Sequence, residues 1–408
     1  MSNTEICVIV GASHAAAQMA PSLRQEGWVG RILIIGDEPC APYHRPPLSK
    51  TYLTGEKGSH DIQIRAPEVY AKHGIELMLG QRVTAIDRAG KTVELQGGEK
   101  VHYDKLALCT GARVRRVALP GADLHGIHYL RTMEDVNGIQ GSVSPGREAV
   151  IVGGGYIGLE TAAVLRKLGM KVTVLEMAPR VLARVTAPEV AAFYQRVHTE
   201  EGVDIRTGVA VSRFEGGSSV EAVVCADGSR FPAHLVVIGV GVVPNTELAE
   251  AAGLAVNDGI LVDACARTVD PDIVAAGDCT RHPTPLYGSL RLESVPNATE
   301  QAKSAAASLC GKEKPYVALP WFWSDQYDLK LQIAGLNGGY DRVVIRGNAA
   351  EGRSFAAFYL ASGRLIAVDC VNRPQEFIVG KRLISQRATP EAAVLCDDSV
   401  PFNTLFSN

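Results

Sequence analysis

The chain has no closely spaced pair of cysteines. Its nine thiols lie at Cys7, Cys40, Cys109, Cys225, Cys265, Cys279, Cys310, Cys370 and Cys396, without CxxC pairs or metal-ligand clusters. A dithiol relay or a structural zinc site needs two thiols close together in a short segment, so disulfide relay chemistry is disfavoured and no metal is expected. Long apolar runs are also missing: nothing approaches the roughly 18 uninterrupted apolar residues of a bilayer span. The first five residues are short and polar, and the apolar run after them is only a strand's length, so no signal peptide is expected and the scattered thiols suit the cytoplasm. Charge of one sign is scarce as well. With 41 Lys and Arg against 44 Asp and Glu, the net charge is -3, which gives no reason to expect a nucleic-acid partner.

Glycine-rich turns are present, twice. Residues 8–16 read Val-Ile-Val-Gly-Ala-Ser-His-Ala-Ala and residues 150–158 read Val-Ile-Val-Gly-Gly-Gly-Tyr-Ile-Gly, each after an apolar strand-like run. In such a fingerprint the first glycine permits a tight turn, the second lets backbone approach a pyrophosphate, and the third lets helix pack on strand. The helix N-terminus then faces the phosphates. The second copy is complete at Gly153, Gly155 and Gly158. The first keeps Gly11 but carries the small residues Ser13 and Ala16 at the other two positions.

Each unit continues as the fold requires. Helix-like residues 15–27 lead into a strand at 31–37, and Asp37 or Glu38 then stands about 20 residues beyond the glycines, where an adenosine ribose is met. In the second unit residues 161–169 form a helix and 171–176 a strand ending in Glu176. A carboxylate there repels a 2′-phosphate and favours NADH over NADPH, although Arg180 and Arg184 follow closely enough to grip such a phosphate.

At 408 residues two or three domains are expected. Strand and helix patterns alternate to about Pro320 as in a doubly wound α/β sheet. The order of pieces is informative. A strand and Thr-Gly turn at 105–112, with Thr110 and Gly111, precede the whole second fingerprint unit, which closes at 235–245 around Gly241. Only afterwards comes Asp-Ile-Val-Ala-Ala-Gly-Asp-Cys at 272–279. Beyond Pro320, short alternating strands at 321–327, 329–334, 342–346, 354–360 and 364–369, followed by a helix at 375–386, read as a separate α+β domain.

An apolar strand closed by Gly277 and Asp278 resembles the way two-dinucleotide flavoproteins return the chain to their FAD domain. That resemblance implies an FAD domain at 1–112 and 245–320, interrupted by an NAD domain at 113–244, with a C-terminal domain at 321–408. It gives FAD to the imperfect fingerprint and NADH to the complete one, and puts Asp278 on the ribityl hydroxyls. Residues 41–50 read Ala-Pro-Tyr-His-Arg-Pro-Pro-Leu-Ser-Lys. Pro46 and Pro47 suit a helix start, from which Arg45 and Lys50 can be presented to the flavin phosphate or ring.

Nearly end to end, the chain is similar to the NADH-dependent ferredoxin reductases of bacterial oxygenase systems. The likeness is carried by residues 44–50, Thr110 with Gly111, Tyr129 to Arg131, 153–160, 184–188, 276–278, the Leu-Glu-Ser-Val-Pro-Asn-Ala run at 292–298 and Trp-Phe-Trp-Ser-Asp-Gln-Tyr at 321–327. It implies FAD contacts from Ala15, Asp37, Lys50, Val83, Arg131 (on phosphate), Asp278 and Val295, whose amide meets the pyrimidine edge. Gly11, Ser13, His14, Ala16, Glu38, Arg45, Thr110, Gly111, Glu293, Ser294 and Trp323 join that site. Gly153, Gly155, Tyr156, Ile157, Gly158, Glu160, Glu176 and Gly241 form the NAD site, with Glu160 on the nicotinamide carboxamide. Lys50, Glu160 and Trp323 stand nearest the chemistry, Trp323 at the flavin edge that faces the partner; a core aromatic is the other reading of Trp323.

The implied activity is hydride transfer from NADH to FAD, then two single-electron transfers to a 2Fe-2S ferredoxin that feeds a heme-thiolate monooxygenase or a ring-hydroxylating dioxygenase. Such ferredoxins are acidic, so a local basic patch is expected. Two alternatives stand beside it. Related NADH oxidases, peroxidases and coenzyme A disulfide reductases use one early cysteine as a redox centre, which would be Cys40. Flavin-binding interaction proteins of the apoptosis-inducing kind share the fold, but carry targeting extensions not found here.

Overall fold

The computed structural model describes residues 4–402 and divides into two compact units. The first comprises residues 1–44, 59–113 and 242–320, the second residues 45–58, 114–241 and 321–408.

The first unit is built on a five-stranded parallel sheet in the order Ile273–Ala275, Lys105–Leu108, Ile6–Val10, Arg31–Gly36, Ile75–Leu79. The central strands are apolar runs because both faces are buried, one against helices and the other against Val83, Val93, Leu95 and Val101 of a smaller sheet. Helices His14–Glu26 and Val295–Leu309 share one core, where Ala15, Ala16, Ala20, Ala298, Ala302 and Ala305 are buried together; such small side chains let helix axes approach closely. Pro21 interrupts the first helix by removing the donor that would meet the Ala17 carbonyl. Arg65 supplies the replacement, its Nη1 donating to Ala17 O at 2.7 Å. Gly27 then ends the helix at φ 98°, a left-handed position suited to glycine. A smaller antiparallel sheet, Val83–Asp87, Thr92–Leu95 and Lys100–His102, is inserted before the strand Lys105–Leu108.

The second unit repeats the parallel design in the order Asp204–Thr207, Lys171–Glu176, Glu148–Val152, Leu235–Ile238, Ile127–Tyr129. Its fingerprint helix runs Tyr156–Lys167, starting five residues before the predicted 161 because the glycine turn itself opens the helix. A separate antiparallel sheet has the order Trp321–Gln326, Leu329–Gly335, Arg364–Val371, Phe355–Ala361, Arg342–Gly347 and carries the helix Pro374–Ser385. All five C-terminal runs expected as strands are strands. The fold is thus an α/β two-dinucleotide architecture with a C-terminal α+β portion.

One local expectation fails. The Pro-Pro segment forms a single 3-10 turn, Pro46–Ser49, and not a helix. The turn closes through Leu48 N–H to Arg45 O and Lys50 N–H to Pro47 O, both at 3.0 Å. Lys50 then leaves helical space at φ -137°, ψ -114°. Prolines in a first turn are compatible with an α-helix; it is the departure of Lys50 from helical backbone that ends this one after a single turn.

Candidate nucleotide sites and the buried Glu160 cluster

In the first unit, strand Ile6–Val10 runs into Gly11 at φ 105°, where an added Cβ would lie 2.1 Å from the Cys109 carbonyl oxygen. Only glycine fits such a contact. Ser13, in extended backbone, caps the helix whose first residues His14, Ala15 and Ala16 are buried. Strand Arg31–Gly36 delivers two carboxylates at its C-terminal end. Asp37 is exposed, while Glu38 accepts the Tyr43 hydroxyl at 2.6 Å. Of the pair expected at the ribose, Asp37 is therefore the one facing solvent. Val83 is buried among Val8, Leu33 and Val93, which leaves its backbone, not its side chain, for any ligand.

Two further features of this unit converge on the same turn. A Cβ on Gly277, at φ 94°, would touch Ala15 Cβ at 3.4 Å and Ala298 Cβ at 3.6 Å, so the first turns of both helices meet beside Asp278. Gln301 fixes that corner, its Oε1 accepting Gly277 N–H at 2.8 Å and Thr280 Oγ1 at 2.9 Å. Ser294 caps the second helix by accepting Asn297 N–H at 3.3 Å, which leaves Val295 in the first helical turn. Two helix N-termini at one corner form a site of positive partial charge suited to an anionic group, and the residues fit a dinucleotide. Glu293 is exposed and paired with the half-buried Arg291 at 2.5 Å. Thr110 and Gly111 are clamped to Asn245: Thr110 Oγ1 donates to Asn245 O at 2.6 Å, Asn245 Nδ2 to Thr110 O at 2.8 Å, and Asn245 N–H to Gly111 O at 2.9 Å. Their polar groups hold the chain crossing.

The second unit carries the complete fingerprint. Gly153, at φ 110°, would place a Cβ 2.4 Å from Gly239 O, and Gly158 would place one 2.1 Å from Gly153 O. Gly155 differs, because a Cβ there would meet nothing within 4 Å. The protein's own packing does not require that glycine; an approaching phosphate does. Gly241, at φ 98°, also faces open space. Glu176 is anchored to the turn, with Oε2 accepting Gly154 N–H at 2.6 Å and Oε1 accepting Ala178 N–H at 2.7 Å. Arg180 is half-buried and donates to Ala183 O at 3.0 Å, while Arg184 is exposed. Ile157 is exposed on the first helical turn. Tyr156 packs its ring 5.0 Å from Phe322, and burial pushes its phenol well above the usual range.

Lys50 and Glu160, assigned from sequence to two different cofactors, form one cluster. Glu160 is only 2% exposed, and its Oε2 accepts Lys50 Nζ and Ser49 Oγ, both at 2.5 Å. Oε1 accepts Ser324 Oγ at 2.6 Å. Helix Tyr156–Lys167, the 3-10 turn and strand Trp321–Gln326 each contribute to it. Arg45 does not join: its Nη1 donates to Arg131 O at 2.8 Å, so that guanidinium is spent in part on backbone. Arg131 itself begins the capped helix Met133–Ser142, its N–H donating to Asp135 Oδ2 at 2.9 Å. Trp323 is half-buried, 5.4 Å from Trp321, over which Lys381 Nζ lies at 5.3 Å.

Ser49, Ser324, Asn245 and Gln301 were not singled out from sequence. For Ser324 a signal existed. Phe322, Ser324 and Gln326 share one strand face, and two polar residues there, 0% and 2% exposed, break the apolar alternation of an inward face. All nine cysteines are free thiols. Cys109 and Cys279, beside the first fingerprint's strand ends, are buried and pushed up by desolvation, the state of an inert structural thiol. Cys40 is half-buried. Among the described residues no group of three or more His, Cys, Asp or Glu could hold a metal, and no helix is long and apolar enough to cross a membrane.

Two parallel sheets in one chain, each ending in a glycine-locked helix start with a carboxylate on the next strand, define a two-dinucleotide oxidoreductase. The chain belongs to the pyridine nucleotide-disulphide oxidoreductase family, matched over residues 6–302, with a reductase C-terminal domain matched over 321–406. It is 46% identical over 414 residues to putidaredoxin reductase of Pseudomonas putida, covering 100% of this chain and 98% of that protein. It is 41% identical over 399 residues to the ferredoxin–NAD(+) reductase component of the anthranilate 1,2-dioxygenase system of Burkholderia cepacia, covering 97% and 98%. Among solved structures, the covalent putidaredoxin reductase–putidaredoxin complex matches with a TM-score of 0.96 at 46% identity, covering 100% of this chain and 99% of that one.

Proposed function

We propose that this chain is an NADH-dependent ferredoxin reductase that passes single electrons to a 2Fe-2S ferredoxin serving a heme-thiolate monooxygenase or a ring-hydroxylating dioxygenase. The observation that carries the reading is the pair of glycine-locked helix starts in a chain whose cysteines are all unpaired. Two nucleotides and no thiol relay send electrons outward. Full-length similarity to a putidaredoxin reductase and to the ferredoxin–NAD(+) reductase component of a dioxygenase system supports the class.

In this reading the first unit holds FAD. Gly11 and Ser13 form its phosphate turn, Asp37 binds the ribose, and Asp278 meets the ribityl chain. The amide of Val295, at a helix N-terminus, favours negative charge on the pyrimidine edge. Residues 113–244 hold NADH, with Gly155 open to the pyrophosphate and Glu176 turned against a 2′-phosphate. When bound, FAD supplies the acceptor for the hydride and the conversion of a two-electron input into single-electron output. The residues bind, orient and exclude water; none need transfer a proton during hydride delivery. Glu160, fixed on both oxygens, orients the nicotinamide carboxamide. Trp323 and Lys381 belong to the docking face, where an aromatic and a cation suit an acidic partner in a small, transient encounter. Free thiols throughout suit the cytoplasm.

The test is anaerobic stopped-flow reduction of the holoenzyme, followed by cytochrome reduction with a panel of purified 2Fe-2S ferredoxins. NADH should bleach the flavin at least tenfold more efficiently than NADPH. The reading fails if NADH leaves the flavin oxidised, or if oxygen takes the electrons faster than every ferredoxin. Cys40→Ser should retain full activity, against the single-cysteine alternative.

A further inference from the structure

Glu160 ends a longer string of hydrogen bonds whose direction can be read bond by bond. Ser324 Oγ lies 2.6 Å from Glu160 Oε1 and accepts Gln326 Nε2 at 3.1 Å. Gln326 Oε1 lies 2.7 Å from His198 Nε2, and His198 Nδ1 lies 3.0 Å from the Tyr327 hydroxyl. An amide oxygen only accepts, so His198 carries its proton on Nε2 and its Nδ1 must accept from Tyr327. Burial pushes the imidazole down to about 4, which keeps that neutral tautomer in place. The string therefore runs one way: Tyr327 donates to His198, His198 to Gln326, Gln326 to Ser324, and Ser324 to the carboxylate. Glu160, Ser324, Gln326 and His198 are each 2% exposed or less, so water does not compete for any of these partners.

We infer that Ser324, Gln326 and His198 are positioning residues that set the orientation of the Glu160 carboxylate, and that the C-terminal sheet thereby tunes nicotinamide binding and hydride delivery. A carboxylate on a helix can rotate about its terminal bond. Lys50 and Ser49 hold one oxygen only, whereas Ser324 holds the other and is itself held from behind. Gln326 touches Glu160 only through Ser324, so any kinetic effect of changing it travels along the string. Residues that support a ligand-binding group from behind often matter nearly as much as the group itself.

The inference rests on the reading that Glu160 meets the nicotinamide, and the test separates the two. Wild-type holoenzyme, Ser324→Ala, Ser324→Thr, Gln326→Met and Glu160→Gln are reduced anaerobically by NADH in stopped flow. Each reduced enzyme is then reoxidised by ferricyanide. Ser324→Ala should slow flavin reduction at saturating NADH roughly 5- to 30-fold and weaken NADH binding, as expected for loss of a hydrogen bond to a charged group. Ser324→Thr should recover most of that loss, Gln326→Met should lose less in the same direction, and ferricyanide reoxidation should stay unchanged throughout. Wild-type reduction rates in both Ser324→Ala and Gln326→Met overturn the inference, as does an equal loss in both half-reactions, which marks a general structural defect. If Ser324→Ala does not fold, Gln326→Met decides alone. If Glu160→Gln itself reduces at the wild-type rate, the assignment of Glu160 falls; if it slows while Ser324→Ala does not, only the positioning string falls.

Discussion

The two glycine turns solve one problem with different tolerances. In the second unit, Gly158 cannot carry a side chain, because its Cβ would sit 2.1 Å from the Gly153 carbonyl. The first unit accommodates Ala16 at the equivalent place with the side chain fully buried. Gly11 and Gly153, by contrast, are constrained alike, each at positive φ and each with a Cβ that would strike a carbonyl of the neighbouring strand's end, Cys109 in one unit and Gly239 in the other. A fingerprint is thus three separate requirements. The first glycine is demanded by the protein's own backbone, the second by the ligand, and the third by how closely helix and strand are drawn together.

The sharpest break of this comparison is Gly11→Ala against Gly158→Ala. Gly158→Ala should destabilise by about 1–3 kcal/mol from overpacking against a carbonyl, and Gly11→Ala by about 2–6 kcal/mol, because a strained positive φ adds to the same overpacking. Gly11→Ala should yield protein lacking FAD, while Gly158→Ala should retain FAD and lose NADH binding. Flavin absorbance of the purified variants and NADH titration distinguish them. If both variants lose the same nucleotide, the division of sites between the units is wrong.

Next in size is Lys50→Met. It leaves the Glu160 carboxylate buried without its cation, a change that costs about 3 kcal/mol when one partner of a buried pair is removed. The unfolding midpoint should fall, and NADH should reduce the flavin more slowly. An unaltered midpoint would mean that the two serines suffice to hold Glu160.

Acid should expose a third contrast, between two buried histidines, His198 of the second unit and His282 of the first. His198 has partners on both nitrogens, whereas neither ring nitrogen of His282 has one among the described residues. Burial pushes both down to about 4. The folded state resists their protonation while the unfolded chain takes it up near 6.5, so the stability they contribute is complete above about pH 6.5 and is lost as pH falls toward 4, by up to about 3 kcal/mol each. Asp369 works the opposite way. Desolvation raises it to about 7, so its contribution is complete below the usual carboxylate range and is lost as pH rises from about 4 to 7. Denaturant midpoints of His282→Leu between pH 7 and 4.5 should fall less steeply than wild type. An identical slope would show that His282 takes up no proton differently on unfolding.

How much of this was legible depended on whether the constraint is local. Gly11, Gly153 and Glu176 stand in a strand-turn-helix pattern that a short window displays, even though the carbonyls that forbid a side chain at the two glycines, those of Cys109 and Gly239, come from distant strand ends. Strands at 321–369 were legible because alternation is a property of the strand alone. The Glu160 cluster was not, because Ser49, Ser324 and Lys50 come from segments 110 and more residues away, and sequence spacing carries no sign that they meet. For the same reason Lys50 was assigned to FAD and Glu160 to nicotinamide, as two separate contacts. Pro46 and Pro47 misled in a local way: prolines mark where a helical turn starts, not how far it runs, and Lys50 leaves helical backbone after one turn.

The smallest predicted effect bears most directly on the opening contrast. Ser13→Gly with Ala16→Gly would convert the first turn to the complete pattern of the second. If a complete fingerprint were intrinsically better, FAD should bind more tightly. The geometry argues otherwise, since Ala16 is buried without hindrance, and a glycine inside the first turn of a helix costs about 0.5–1 kcal/mol relative to alanine. The double variant should therefore lose about 1 kcal/mol, seen as a small drop in the unfolding midpoint, with FAD affinity unimproved. A gain in FAD affinity would show that Ser13 crowds the pyrophosphate, and that the first fingerprint is a compromised copy, not one fitted to its own buried alanine.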